Sequence, residues 1–183
     1  MNKEEIKKTW NEAARKIYQP TPEEYEMIYR TRKMTALENL AGRYKSFSRL
    51  GFIMIAASLM WFFGHFPFEN QTMKYVVGGV MMVYFAACGI IDRWLYKGVS
   101  SIDCFTMTVN EVIRKALYYR KRHLQSIMFL LPFAILVIGL LAYSMSADIY
   151  VIYGIIAGAI TGIILGSIQL RKFLRTYRII SED

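Results

Sequence analysis

The amino-acid sequence predicts an all-α protein, a four-span transmembrane bundle of two helical hairpins with amphipathic helices at the N-terminus and in mid-chain. Two observations predict this fold. The 183 residues are 55% hydrophobic with a mean hydropathy of +0.26, which is more apolar than an ordinary soluble domain. Four stretches also lack charged residues, and a membrane-spanning helix needs about 20 mainly apolar residues. They are Leu50–Phe68, Tyr75–Ile91, His123–Ala147 and Ile149–Leu170, of 19, 17, 25 and 22 residues.

The pattern of apolar and charged residues divides the chain into six segments. Thr21-Pro22-Glu23-Glu24 is typical of a capping box with proline at the first helical position, and predicts a helix that starts at Pro22. Ser100 or Ser101 is expected to cap the mid-chain helix. The segments are an N-terminal amphipathic helix (1–20), a second cytoplasmic helix leading into the membrane (21–49), a transmembrane hairpin (50–97), a cytoplasmic basic helix (98–122), a second transmembrane hairpin (123–170) and a cytoplasmic tail (171–183).

The distribution of Lys and Arg predicts the orientation. Of the 23 cations, 22 lie in residues 1–49, 92–125 and 171–183, on one side of the four-span arrangement. Lys74 is the exception. Because Lys and Arg accumulate in cytoplasmic loops, we expect a multi-pass protein of the bacterial inner membrane with both termini in the cytoplasm.

No group of residues in the sequence has the spacing of a catalytic or metal site. Cys88 and Cys104 belong to no CxxC pair, and His65 and His123 are expected at opposite faces of the bilayer, too far apart to share a metal. We interpret His123 as part of a basic rim and Gln169 as a structural hydrogen-bonding residue. The sequence therefore predicts a non-enzymatic protein without a cofactor.

The fourth uncharged stretch carries glycine at every fourth position. Glycines along one ridge of a helix let a neighbouring backbone approach closely, which is how many helices associate in lipid. We expect a seam within the bundle first, a homo-oligomer seam next and a solute groove last. The helix-packing residues are Gly154, Gly158, Gly162 and Gly166.

Clusters of cations lie next to the predicted membrane boundaries. We interpret them as contacts to lipid head groups, worth about 1 kcal/mol for each cation. Direct nucleic-acid binding is not expected, because nucleic-acid motifs and phosphate loops are missing. The proposed head-group contacts are Arg120, Lys121, Arg122, Arg171 and Lys172.

The N-terminal amphipathic helix is the segment that most resembles a partner-binding surface. Ile6, Trp10 and Ile17 follow helical spacing, with charged residues opposite. A helix this short is marginal alone in water, so the apolar stripe is expected to be buried against another surface. The bilayer surface, the second cytoplasmic helix and a soluble protein all remain open.

The opening Ile6-Lys7-Lys8-Thr9-Trp10-Asn11-Glu12, followed by a short helical arm and several spans, resembles small bacterial inner-membrane proteins encoded beside alternative sigma factors. Some of these are thought to act as membrane-bound anti-sigma factors, although their zinc signature of His followed by CxxC is missing here. The resemblance implies a regulatory or scaffolding protein that holds a soluble partner, a sigma factor first, at the membrane. The alternative hypothesis is a small transporter or channel-like subunit that oligomerises through the glycine-rich span.

Overall fold

The computed structural model describes residues 3–9, 21–64, 70–145 and 149–181, and in these ranges the regular structure is entirely helical. The all-α prediction is therefore confirmed for this part of the chain. A short helix, α1, covers residues 3–9, and four long helices follow. They are α2 (Pro22–Phe63), α3 (Gln71–Ser100), α4 (Val109–Ser144) and α5 (Ile149–Ser181).

Two capping boxes set where α2 and α4 begin. The Thr21 hydroxyl accepts from Glu24 N at 3.3 Å and the Glu24 carboxylate accepts from Thr21 N at 2.9 Å, which confirms the predicted start at Pro22. Thr108 and Glu111 form the same box before α4. The expectation of a cap at Ser100 or Ser101 is wrong, because α3 continues through Ser100.

The segment 98–122, expected as one basic helix, is thus the end of α3, a loop and the start of α4. The loop is stabilised by its own polar groups. The Asp103 carboxylate accepts from Phe105 N at 2.8 Å and from the Thr106 hydroxyl at 3.0 Å. These bonds favour the charged form, so they hold the pKa of Asp103 below its ordinary value. Arg30 joins the loop to α2 by donating to the carbonyl of Cys104 at 3.1 Å.

The four long helices form a ring in which each contacts two neighbours. α2 packs against α3 and α5, and α4 packs against the same two helices. Since α2–α3 and α4–α5 are each consecutive in the chain and in contact, they form two helical hairpins. This ring brings one end of every long helix to the same side of the bundle.

The buried core lies at that side, among the charged parts of the helices, which we call the charged half (residues 22–49, 92–122 and 171–181). Side chains from all four helices and the α3–α4 loop form it. Its largest fully buried residues are Tyr44, Tyr177, Leu40, Leu95, Ile102 and Ile180. The charged half is therefore a packed unit of the kind found in water-soluble bundles.

The uncharged half of the bundle (residues 50–91 and 123–170) has the opposite character, because its apolar side chains mostly point outward. α3, α4 and α5 are each long and apolar enough to cross a membrane, and in the most apolar part of α5 no residue is buried. Exposed apolar side chains on such helices are suited to lipid. The first predicted span, Leu50–Phe68, continues into residues outside the described ranges, so it stays a prediction.

Lys74, the one Lys or Arg in the sequence of the uncharged half, stabilises the end of α2. Its ammonium donates to the Gly64 carbonyl at 2.7 Å, where α2 ends. A cation there compensates the partial negative charge of the helix C-terminus. The side chain is buried despite its charge.

Glycine brings two helices together, but not at the predicted positions. A Cβ atom at Gly154, Gly158, Gly162 or Gly166 would meet no atom of another helix within 4 Å, so the seam expected within the bundle is absent from the described chain. The close approach lies between α2 and α3, where a Cβ at Gly51 would lie 2.9 Å from Gly89 Cα. A role for the glycine-rich face of α5 in an oligomer remains a prediction.

Candidate ligand cavity between the four long helices

A small cavity lies where the charged and uncharged halves of the bundle meet, and all four long helices line it. Its volume is about 170 Å³. The polar side chains in its wall come from three helices: Asp92 from α3, His123 from α4 and Gln169 from α5. Phe47 from α2 and Phe173 from α5 supply aromatic walls. The cavity therefore combines a carboxylate, an imidazole and a carboxamide within an apolar lining.

His123 is buried, with 9% of its surface exposed. Its ring lies 4.8 Å from that of Phe173 and 5.4 Å from that of Tyr44. The Nε2 atom has no hydrogen-bond partner among the described residues. Its interpretation as part of an exposed basic rim is wrong, because the preceding cations face outward while His123 points into the bundle.

Asp92 follows the second uncharged stretch directly, and its side chain is half-buried. Among the described residues, Asp92 takes part in no ion pair and in no hydrogen bond. A carboxylate withdrawn from water loses solvation free energy unless another group replaces the lost contacts. Asp92 thus presents at the cavity a half-buried carboxylate with no protein partner among the described residues.

Beneath the cavity, a pair of tyrosines joins α2 to α5. The hydroxyls of Tyr44 and Tyr177 lie 3.0 Å apart in the core of the charged half. Burial raises the pKa of Tyr44 far above its ordinary value and raises the pKa of Tyr177 to about 12. Both phenols therefore keep their protons at neutral pH, and one hydroxyl donates a hydrogen bond to the other.

Two cationic side chains of α2 have buried nitrogen atoms that make no hydrogen bond to any described residue. Lys33 places its ammonium 4.2 Å from the ring centre of Tyr29, and Arg43 places its guanidinium carbon 5.9 Å from that of Phe173. Aromatic faces attract cations, so these contacts offset part of the lost hydration. The buried Nη1 atom of Arg43 donates no hydrogen bond to a described residue of the cavity.

Ile6, the one predicted partner-binding residue within the described ranges, does not line this cavity. Ile6 lies on α1 with 39% of its surface exposed, while Trp10 and Ile17 lie outside the described residues. The predicted head-group cations are at the surface: Lys121, Arg122, Arg171 and Lys172 are exposed and Arg120 is half-buried.

Comparison of this chain with protein-family models, curated proteins and solved structures gave no match. The properties of the cavity are therefore argued from its own residues. Among those the structure describes, no three His, Cys, Asp or Glu side chains come together as a metal site would need. Another cavity, of about 480 Å³ between α3 and α4, has an entirely apolar lining.

Sequence reasoning missed the cavity because it treated each uncharged stretch separately. Phe47, Asp92, His123 and Gln169 each lie within about one helical turn of the end of a stretch. In antiparallel helices those ends lie at the same level of the bundle, so residues at all four ends become neighbours. Comparing polar residues at the four ends is the signal that would have found the site.

Proposed function

We propose that this chain is a non-enzymatic integral membrane protein of the bacterial inner membrane that holds a soluble cytoplasmic partner at the membrane, as a regulator or scaffold. The observation that carries the proposal is the packed core of the charged half. Charged helix ends alone would anchor and orient the protein in a membrane. The charged half has more than that, because fourteen buried residues of the described chain, from four helices and a loop, form its core. A partner that binds the surface of the charged half would be held at the membrane, because each long helix continues from the charged half into the uncharged half.

The helix α1 supports the same proposal, because its residues are all exposed. An apolar side chain such as Ile6 on a short exposed helix is available to another protein. The resemblance of the first residues makes an alternative sigma factor the partner to test first, with anti-sigma-like regulation as the specific activity.

We expect Trp10→Ala to weaken capture of the cytoplasmic partner at least about tenfold, or 1.4 kcal/mol, because Trp10 is the largest apolar side chain in residues 3–18. Insertion into the membrane and stability should be unchanged. The measurement is recovery of cytoplasmic proteins, the sigma factor included, on immobilised full-length protein, compared with a chain that starts at Thr21.

Neutralising Lys7 and Lys8 to Gln is the matched control. If charge alone recruits the partner, this double variant loses binding and Trp10→Ala does not. Equal partner recovery by the wild type and Trp10→Ala would contradict the proposed role of the apolar stripe.

Both termini are proposed to lie in the cytoplasm, and cysteine labelling tests this. Cys104 is a poor reporter, because only 4% of its surface is exposed and burial raises the pKa of its thiol. Asn110 and Gln71 are exposed, beside the loop and at the start of α3. In a Cys88→Ala, Cys104→Ala chain, we expect Asn110→Cys to react with an impermeant maleimide only from the cytoplasmic side and Gln71→Cys only from outside. Labelling of Asn110→Cys in intact cells would overturn this orientation.

The cavity favours a second candidate function, a small transporter or channel-like subunit. Polar side chains within a helical bundle, at the depth where spans begin, are typical of solute and ion pathways. The exposed glycine-rich face of α5 is then the proposed oligomer contact. Ligand binding at the cavity is the first requirement of this function.

A further inference from the structure

We propose that the cavity between α2, α3, α4 and α5 binds a small organic cation that carries a primary ammonium group. This inference is independent of the partner-holding function, because it concerns the cavity where the two halves of the bundle meet and not the N-terminal helix. Charge, hydrogen-bonding capacity and size each contribute to it.

The charge of the cavity wall favours a cation. Asp92 presents a half-buried carboxylate that makes no ion pair or hydrogen bond within the described residues. An ammonium group beside it would replace the hydration that burial removed, and the attraction is strong where water is scarce. The faces of aromatic rings also attract cations. Phe47 and Phe173 line the cavity as neighbouring rings whose centres lie 6.0 Å apart.

The hydrogen-bonding groups favour a primary ammonium over a quaternary one. A primary ammonium has three N–H donors. The cavity offers acceptors of three kinds: the Asp92 carboxylate, the Gln169 carboxamide oxygen and, in a neutral imidazole, the unpartnered Nε2 of His123. A quaternary ammonium has no N–H and would leave these acceptors unpaired, which is costly inside a protein.

The size of the cavity and its few ligating groups separate an amine from a metal ion. One water molecule occupies about 30 Å³ of liquid, so about 170 Å³ accommodates an amine with a few heavy atoms. Zinc sites use three or four His, Cys, Asp or Glu ligands. The cavity has two such side chains, Asp92 and His123, and no cluster of three occurs among the described residues.

Ethylammonium chloride is the probe, titrated into the full-length protein in an uncharged maltoside detergent and followed by isothermal titration calorimetry. We expect saturable binding of ethylammonium, none of the neutral isostere ethanol, and little competition from sodium or potassium at matched ionic strength. Asp92→Asn should weaken binding at least tenfold. Glu38→Gln, which removes an exposed carboxylate from α2, should leave it unchanged.

A second pair of variants tests the location without altering charge. Gly166 lines the cavity and a Cβ there meets no atom within 4 Å, so Gly166→Leu adds bulk at the cavity wall and should abolish binding. Gly139→Leu, on α4 and equally open but not in the cavity lining, should bind normally. Circular dichroism verifies that each variant is folded. If Asp92→Asn does not fold, the comparison of Gly166→Leu with its control tests whether the ligand binds in the cavity.

Three results would overturn the proposal. One is the absence of saturable ethylammonium binding to the wild type. Another is binding that persists undiminished in Asp92→Asn or, when that variant is unfolded, in Gly166→Leu. The third is displacement of ethylammonium by sodium or potassium at equal concentration, which would make the site one for inorganic cations.

Discussion

Tyr44→Ala is expected to destabilise the charged half by about 3–5 kcal/mol, as truncation of a large buried aromatic side chain does. Tyr44 has no exposed surface, and its ring packs 4.9 Å from that of Phe173 and 5.4 Å from that of His123. The variant also removes the hydrogen-bond partner of the buried Tyr177 hydroxyl. Chemical unfolding in detergent, followed by near-ultraviolet circular dichroism, measures the loss.

Two variants on the same helix separate packing from hydrogen bonding. Tyr44→Phe keeps the ring and should cost only about 1–3 kcal/mol, the penalty for an unpaired buried hydroxyl. Tyr25→Ala removes a tyrosine that is 65% exposed, and should change stability by no more than about 0.5 kcal/mol. A Tyr44→Ala protein as stable as Tyr25→Ala would show that the core of the charged half is not packed as described.

Gly51→Ala and Gly42→Ala are expected to change stability in opposite directions although both lie in α2. At Gly51 the new Cβ would lie 2.9 Å from Gly89 Cα, 3.0 Å from Gly89 N and 3.2 Å from the Phe85 carbonyl oxygen. These are backbone atoms, so no rotamer change relieves the clash and the two helices must separate. Overpacking of this kind costs about 1–3 kcal/mol.

The same substitution at Gly42 meets no atom within 4 Å. Alanine is the better helix former by about 0.5–1 kcal/mol, so Gly42→Ala should stabilise the protein. The measurement is the free energy of unfolding of both variants in one detergent. A Gly51→Ala protein at least as stable as the wild type would contradict the close α2–α3 contact, which a hydrogen bond of 2.9 Å from the Ser48 hydroxyl to the Gly89 carbonyl also supports.

The glycines show which helix contacts could be predicted from the sequence and which could not. The regular spacing of Gly154 to Gly166 predicts close packing, yet that face is open in the single chain. Gly51 and Gly89 have no such pattern around them and make the close contact. A pattern within one helix shows which face permits an approach, but not whether another helix occupies it, because the partner's position depends on every other contact in the bundle.

The sequence by itself determined the properties that depend on local composition. Uncharged stretches predict apolar helices, and Thr21 with Glu24 predicts where α2 begins, because capping involves residues three positions apart. Only the tertiary structure decided that the core lies in the charged half, and that Asp92, His123 and Gln169 line one cavity. These three residues come from different helices, separated by 31 and 46 positions in the sequence. Their proximity arises from the packing of whole helices against one another, which no short sequence pattern encodes.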